Sequence, residues 1–415
     1  MAAARVLADV AQILSAGHVL KHIGNSTIEA AARLANVTRR MQPLLRSTAL
    51  ILALLAPAAR AVPPPADVLA VMERVADWQL ANPSRHPTTD WTSGAGWTGL
   101  MALASVSPSP RFHDAMMKMS VANHWDFGTP KGHSVPYDAD DHTVAQTYLE
   151  LYFQHKDPAM IAHVREHFDY ILAHPSPMGL EFDGALKGRQ REHWSWCDAL
   201  FMGPPTWARL YVATGERAYL DFMVKEWWAT SDYLYDKNEH LYFRDSTYFG
   251  KKEANGKKVF WGRGNGWVMG GLARVLEVLP KDHPARPRFE QQFLEMSAKL
   301  REVQQPDGLW RASLLDPASY PLKETSSSGF YCFAFAWGVN HGLLDRATYQ
   351  PAIDKAWAAL VACVAPDGKL THVQPIGADP KKFDEGSTEI YGVGAFLLAG
   401  REVYRLGQPA GPAKN

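Results

Sequence analysis

From Ala66 to Leu406 apolar residues recur at three- and four-residue spacing with little strict alternation, so the core of this chain has to be built from helices. The spacing predicts about twelve of them, near 66–82, 93–105, 110–125, 139–155, 157–174, 196–214, 216–232, 263–279, 283–304, 325–343, 347–365 and 387–406. Turn chemistry separates paired helices at Lys156-Asp157-Pro158, Thr214-Gly215, Pro280 to Pro284 and Leu344-Asp345-Arg346. Connections that short make antiparallel hairpins. Apolar helices opening on a polar or Gly-rich motif recur at Asp141, Asp198, Gly266, Gly329 and Gly392, with gaps of 57, 68, 63 and 63 residues. Such gaps suit a helical hairpin plus a loop. Six hairpins closing into a ring give an all-α (α/α)6 barrel, its loops forming a pocket at one end; spacing leaves an open solenoid as the alternative. The longer connectors 175–192, 233–260 and 305–324 are expected to hold short β-hairpins or pocket walls, with Tyr242 to Ser246 and the Gly256 turn as candidates.

Composition narrows the partners. Lys plus Arg and Asp plus Glu both number 43, and zero net charge argues against nucleic acid held by bulk electrostatics. Cys197, Cys332 and Cys363 are odd in number and widely spaced, which gives no disulfide framework, and the sixteen His residues show no metal-ligand spacing. Neither a metal nor a cofactor is expected. The excess is aromatic: all fourteen tryptophans lie beyond residue 61, and part of that excess suits a surface on which sugar rings stack.

Residues 41–61 read as a secretory signal peptide: a basic start at Met41 to Arg46, an apolar run from Ala49 to Ala56 too short to span a bilayer, and Ala59-Arg60-Ala61 before the prolines. Residues 1–40 then form an upstream extension ahead of the true initiator, Met41. Residues 62–415 form a single domain working in the periplasm or outside the cell.

Three segments carry chemistry. Tyr137-Asp-Ala-Asp-Asp-His142 places Asp138, Asp140 and Asp141 within four positions; one caps a helix, and mutual repulsion favours turning another toward a ligand. Asp198 stands among apolar neighbours in Trp194 to Pro205, where burial raises a carboxyl pKa and fits it to act as a general acid. Pro204 and Pro205 disfavour regular helix before them, which puts Asp198 in a distorted first turn. Trp261-Gly-Arg-Gly-Asn-Gly-Trp267 lacks the strand and the Lys-Ser/Thr of a phosphate loop, but Arg263 offers a fork for a carboxylate and Trp261 and Trp267 offer faces for a pyranose.

Together with Asp90-Trp-Thr-Ser-Gly, Asp141-His142, Thr325 to Gly329 and Gly394 to Tyr404, these motifs resemble glycoside hydrolase family 105, the unsaturated rhamnogalacturonyl hydrolases related to the unsaturated glucuronyl hydrolases of family 88. The resemblance spans residues 66–406. It implies an (α/α)6 barrel that removes 4,5-unsaturated uronic acid from the non-reducing end of polysaccharide-lyase products by hydrating a vinyl ether. By similarity Asp198 is the acid/base and Asp141 a second pocket carboxylate, while Trp196, Trp261, Arg263, Trp267, His142, Trp91 and Trp97 are candidate substrate contacts. The implied partner is a small acidic oligosaccharide. Leu241-Tyr-Phe-Arg244 departs from the His-Gly-Trp of some members, and Ser93 stands in place of an Asn.

Overall fold

Several helices of this protein are apolar around most of their circumference, and a helix of that kind is stable only when other elements surround it. In the computed structural model, which describes residues 63–127, 137–183, 185 and 189–408, these helices form an inner ring. Among the described residues the helices of eleven residues or more are α1 (Pro65–Ala81), α2 (Trp91–Ala104), α3 (Arg111–Ala122), α4 (Ala145–His155), α5 (Ala162–Ala173) and α6 (Pro204–Thr214), followed by α7 (Arg217–Leu234), α8 (Gly262–Leu276), α9 (Arg286–Glu302), α10 (Thr325–Asn340), α11 (Arg346–Val361) and α12 (Ile390–Leu406). Four-residue helical turns, Ala139–His142 and Ala199–Met202, lead into α4 and α6. The expected upstream extension and signal peptide lie outside the described residues.

The even-numbered helices are inner. In order, α2 packs on α4, α4 on α6, α6 on α8, α8 on α10 and α10 on α12, and α12 returns to α2. The ring is closed, so the open solenoid is excluded. Every residue of α8 is buried, whereas outer α9 buries only Phe289, Gln292, Phe293, Met296, Ser297 and Leu300, a stripe at helical spacing. The hairpin turns follow the local chemistry. Lys156 and Gly215 end their helices in left-handed conformations, and the Asp345 side chain accepts from Thr348 N–H to start α11.

Closure depends on close approach of α2 and α12. A Cβ at Gly394 would lie 2.3 Å from the Ala95 carbonyl oxygen, and one at Gly99 would lie 2.4 Å from that of Gly394. Strands are few. β1 (Tyr235–Asp236) pairs antiparallel with β2 (Leu241–Tyr242), and Lys252 bridges Lys258 around Gly256. The sequence reading grouped Tyr242 with the residues after it; the structure pairs it backward, and Asp245 instead bridges Trp196. Among the described residues no helix is long and apolar enough to cross a membrane.

Away from the N-terminal ends of the inner helices, Arg209, Arg274 and Arg401 meet Glu150, Glu277 and Glu402. Burial opposes ionisation of Glu277, but Arg401, Arg209, Arg274 and Arg405 outweigh it and bring its carboxyl down to about 2. A depressed carboxyl contributes stability that is present above its unfolded value and is lost as pH falls through about 2. Glu277→Gln is expected to cost about 3 kcal/mol at neutral pH, since it leaves buried guanidinium groups short of a partner. Gly394→Ala is expected to cost about 1–3 kcal/mol by overpacking the seam, while Gly250→Ala, with nothing within 4 Å of the new methyl, stays near wild type. Urea denaturation midpoints check both expectations.

Candidate active site

Parallel inner helices bring their N-termini, and the residues before them, to one end of the barrel. The residues at these starts are Asp90, Asp138, Asp198, Trp261, Glu324 and Glu389. Asp90 accepts from Thr92 N–H, Asp138 from Asp140 N–H, and Glu324 from Ser326 and Ser327 N–H. These carboxylates serve as ordinary caps.

Asp198 does not cap. It precedes the short turn Ala199–Met202 with helical backbone angles and no side-chain bond to that turn. Helix breaks at Gly203 and restarts at Pro204, the distortion expected from the paired prolines. The preceding segment is clamped: Cys197 N–H donates to the Arg244 carbonyl at 2.8 Å, and Trp196 bridges Asp245. Cys197 Sγ donates to Asp198 Oδ2 at 3.4 Å, and Arg244 Nε lies 3.7 Å from the same oxygen. The residue is 8% exposed, enough for a ligand to reach a carboxyl group that bulk water does not surround. Burial raises the Asp198 pKa; Arg244 and Arg263 oppose that shift, Asp140 adds to it, and the Cys197 hydrogen bond opposes it.

The three neighbouring aspartates divide. Asp138 is wholly buried, and burial pushes its carboxyl well above the usual range against the pull of Arg191, with Asp140 and Asp141 adding to the rise. Arg191 Nε lies 3.1 Å from Asp138 Oδ2, and its Nη2 bonds Asp140. Asp140 acts on Asp198 electrostatically, and Asp141, half-buried, acts on Asp138 and Arg191.

The aromatic candidates separate in the same way. Trp196, Trp261 and Trp267 are at most 2% exposed, so none presents an open face to a pyranose. Trp267 contacts Trp91, Phe201, Phe330 and Tyr391, with ring centroids 6.0, 5.0, 4.6 and 6.0 Å away, and so packs among side chains of α2, α10 and α12. Trp261 Nε1 donates to Gln374 at 2.9 Å and carries the Arg263 guanidinium 4.5 Å above its ring. The Arg263 fork is already engaged, through both terminal nitrogens, by the carbonyls of Gln374 and Pro375. Trp196 lies under Arg191 at 4.4 Å. Trp97 Nε1 donates to the Thr88 carbonyl and secures the entry to α2, and His142 packs among Phe127, His167, Phe168 and Trp207 between inner and outer helices. Trp91, half-buried and stacked on Tyr391 at 5.5 Å, is the tryptophan of this set with a partly open surface.

Sequence reasoning did not select Arg244, Arg191 or Gln374, which the structure places around Asp198, the aspartate cluster and Trp261. Arg244 was visible as a departure from the family motif, but its place beside Asp198 depends on the bridge between Trp196 and Asp245.

Comparison with known proteins gives the family. The family model described as Glycosyl Hydrolase Family 88 matches residues 69–407. The chain belongs to that family. It is 38% identical over 349 residues to an unsaturated 3S-rhamnoglycuronyl hydrolase of Formosa agariphila, covering 82% of this chain and 91% of that protein. A protein of the same description from an Alteromonas species is 34% identical over 351 residues, covering 80% and 84%. Among solved structures, a family 88 glycosyl hydrolase from Bacteroides vulgatus is 30% identical with a TM-score of 0.74, covering 82% of this chain and 99% of that one. This family 88 member is a glycosidase with a helical barrel.

A carboxyl group donates a proton only while protonated, so a reaction that used Asp198 as its acid would slow as pH rises through the Asp198 pKa. Asp140→Asn removes a charge that raises that pKa and is expected to move the alkaline limb of the kcat/KM profile to lower pH; an unmoved limb would separate Asp140 from the acid.

Proposed function

We propose that the protein removes a 4,5-unsaturated uronic acid from the non-reducing end of small acidic oligosaccharides left by a polysaccharide lyase, with rhamnose as the preferred leaving sugar. The observation that carries the reading is the uncapped, buried and still reachable carboxyl of Asp198, raised toward the protonated form an acid needs. The names of the two curated relatives support both the unsaturated uronyl group and the rhamnose.

The chemistry follows from that carboxyl. Protonated Asp198 donates to C4 of the vinyl ether, and positive charge forms at C5, shared with the ring oxygen. The resulting carboxylate takes a proton from water as the water oxygen bonds to C5, which restores the acid. The C5 hemiketal opens by breaking its bond to the ring oxygen. C1 is then a hemiacetal bearing the leaving sugar, and it collapses to an aldehyde as that sugar departs with a proton. Asp141 and Asp140 supply the negative side of the site, and Trp91 offers the sugar a partly open aromatic surface. The signal-like segment 41–61 supports action in the periplasm or outside the cell.

Incubation with an unsaturated rhamnose-linked disaccharide is expected to abolish its ultraviolet absorbance, and in labelled water the heavy oxygen should enter at C5. Persistent absorbance, or label at C1, contradicts the reading. Asp198→Asn is expected to lower kcat by about 100- to 10,000-fold while binding persists.

A further inference from the structure

Two guanidinium groups, Arg244 and Arg263, act on Asp198, and a third, Arg191, holds the Asp140 that also acts on it; the three are not equivalent. Arg263 is 1% exposed, and both its terminal nitrogens are held by the carbonyls of Gln374 and Pro375. Arg191 is committed to two carboxylates, Asp138 and Asp140, with Asp141 close enough to add its field. That side of the site therefore carries excess negative charge. Arg244 differs. One terminal nitrogen bonds Asp245 Oδ2 at 2.6 Å, and Asp245 is itself fixed by the N–H and hydroxyl of Thr247. Its Nε has no hydrogen-bond partner among the described residues, its side chain keeps 16% exposure, and it faces Asp198 at 3.7 Å. Phe182 lies 4.8 Å beneath the guanidinium, so the group is anchored by Asp245 and packed on a ring.

An acid that gives its proton to C4 holds that carbon at its carboxyl oxygen. The substrate carboxylate hangs from C5, the adjacent carbon, and must lie within a few ångströms of the acid. Beside Arg191 it would meet Asp140 and Asp141; beside Arg244, whose Nε lies 3.7 Å from the acid, it meets a cation. With Asp198 protonated, Asp245 balances only one of the two cations Arg244 and Arg263, so this side keeps a surplus positive charge for an anion. Resting on the hydrolase reading above, we infer that Arg244 binds the C5 carboxylate of the unsaturated uronic acid and so sets C4 against Asp198. The same residue makes the enzyme selective for acidic over neutral or esterified termini. An Arg fork can hold a carboxylate bidentately and fix its plane, which a Lys at this position would not do.

The test compares the unsaturated disaccharide with its C6 methyl ester on wild type, Arg244→Gln and Arg244→Lys, each first matched to wild type by thermal denaturation. Wild type is expected to prefer the acid by about 10- to 100-fold in kcat/KM, the range of a hydrogen bond to a charged group. Arg244→Gln should lose that factor on the acid and turn over both substrates within about threefold of each other, a collapse that a merely structural loss would not produce. Arg244→Lys should recover part of the preference. Should Arg244→Gln be too slow to assay, binding of acid and ester to Asp198→Asn with and without the second substitution reads the same ratio. An acid preference unchanged by Arg244→Gln overturns the inference while leaving the hydrolase reading intact. A wild type that consumes neither substrate contradicts the hydrolase reading itself.

Discussion

Parallel alignment of the inner helices is the constraint from which the site follows. Closing α2 against α12 forces the inner N-termini, with their unpaired N–H groups, to one end of the barrel. Carboxylates collect there because they satisfy those donors and meet the positive ends of the dipoles. Asp90, Asp138 and Glu324 do that work. Asp198 occupies an equivalent place, but its turn is cut short by Gly203 and Pro204, so its carboxyl is left to burial and to three charged neighbours, Arg244, Arg263 and Asp140. A raised pKa alone does not separate an acid from a structural carboxylate, since burial also raises Asp138. Reach does: Asp138 is fully enclosed, and Asp198 is not.

Much of the fold was legible in the sequence because its signals are local. The spacing of apolar residues, Gly215 after Thr214 and Asp345 before α11 each act within one turn, and the helices they delimit agree with those observed. Inner and outer helices were also separable in principle, since α8 carries apolar and small residues on every side and α9 on one stripe. Asp198 was legible for the same reason: its apolar neighbours and two prolines lie within seven positions of it in the chain.

What stayed hidden depends on contacts far apart in sequence. An aromatic side chain has the same composition whether it lines a pocket or fills a core, so Trp267 could be named but not placed; it is fully buried among other rings. Arg263 presented a free fork in sequence, and the backbone of residues 374 and 375 takes it up. Arg244 sits beside Asp198 only because Asp245 bridges Trp196 across the connector. The placing of Asp140 and Arg244 near Asp198 is thus a product of tertiary pairing.

The central claim is that burial holds Asp198 ready to donate a proton. Carbon-13 NMR of aspartate carboxyl groups, with the Asp198 resonance assigned by its loss in Asp198→Asn, measures this directly in the free enzyme. The account predicts a titration midpoint for Asp198 above that of an ordinary aspartate. A midpoint at or below the ordinary value would contradict it.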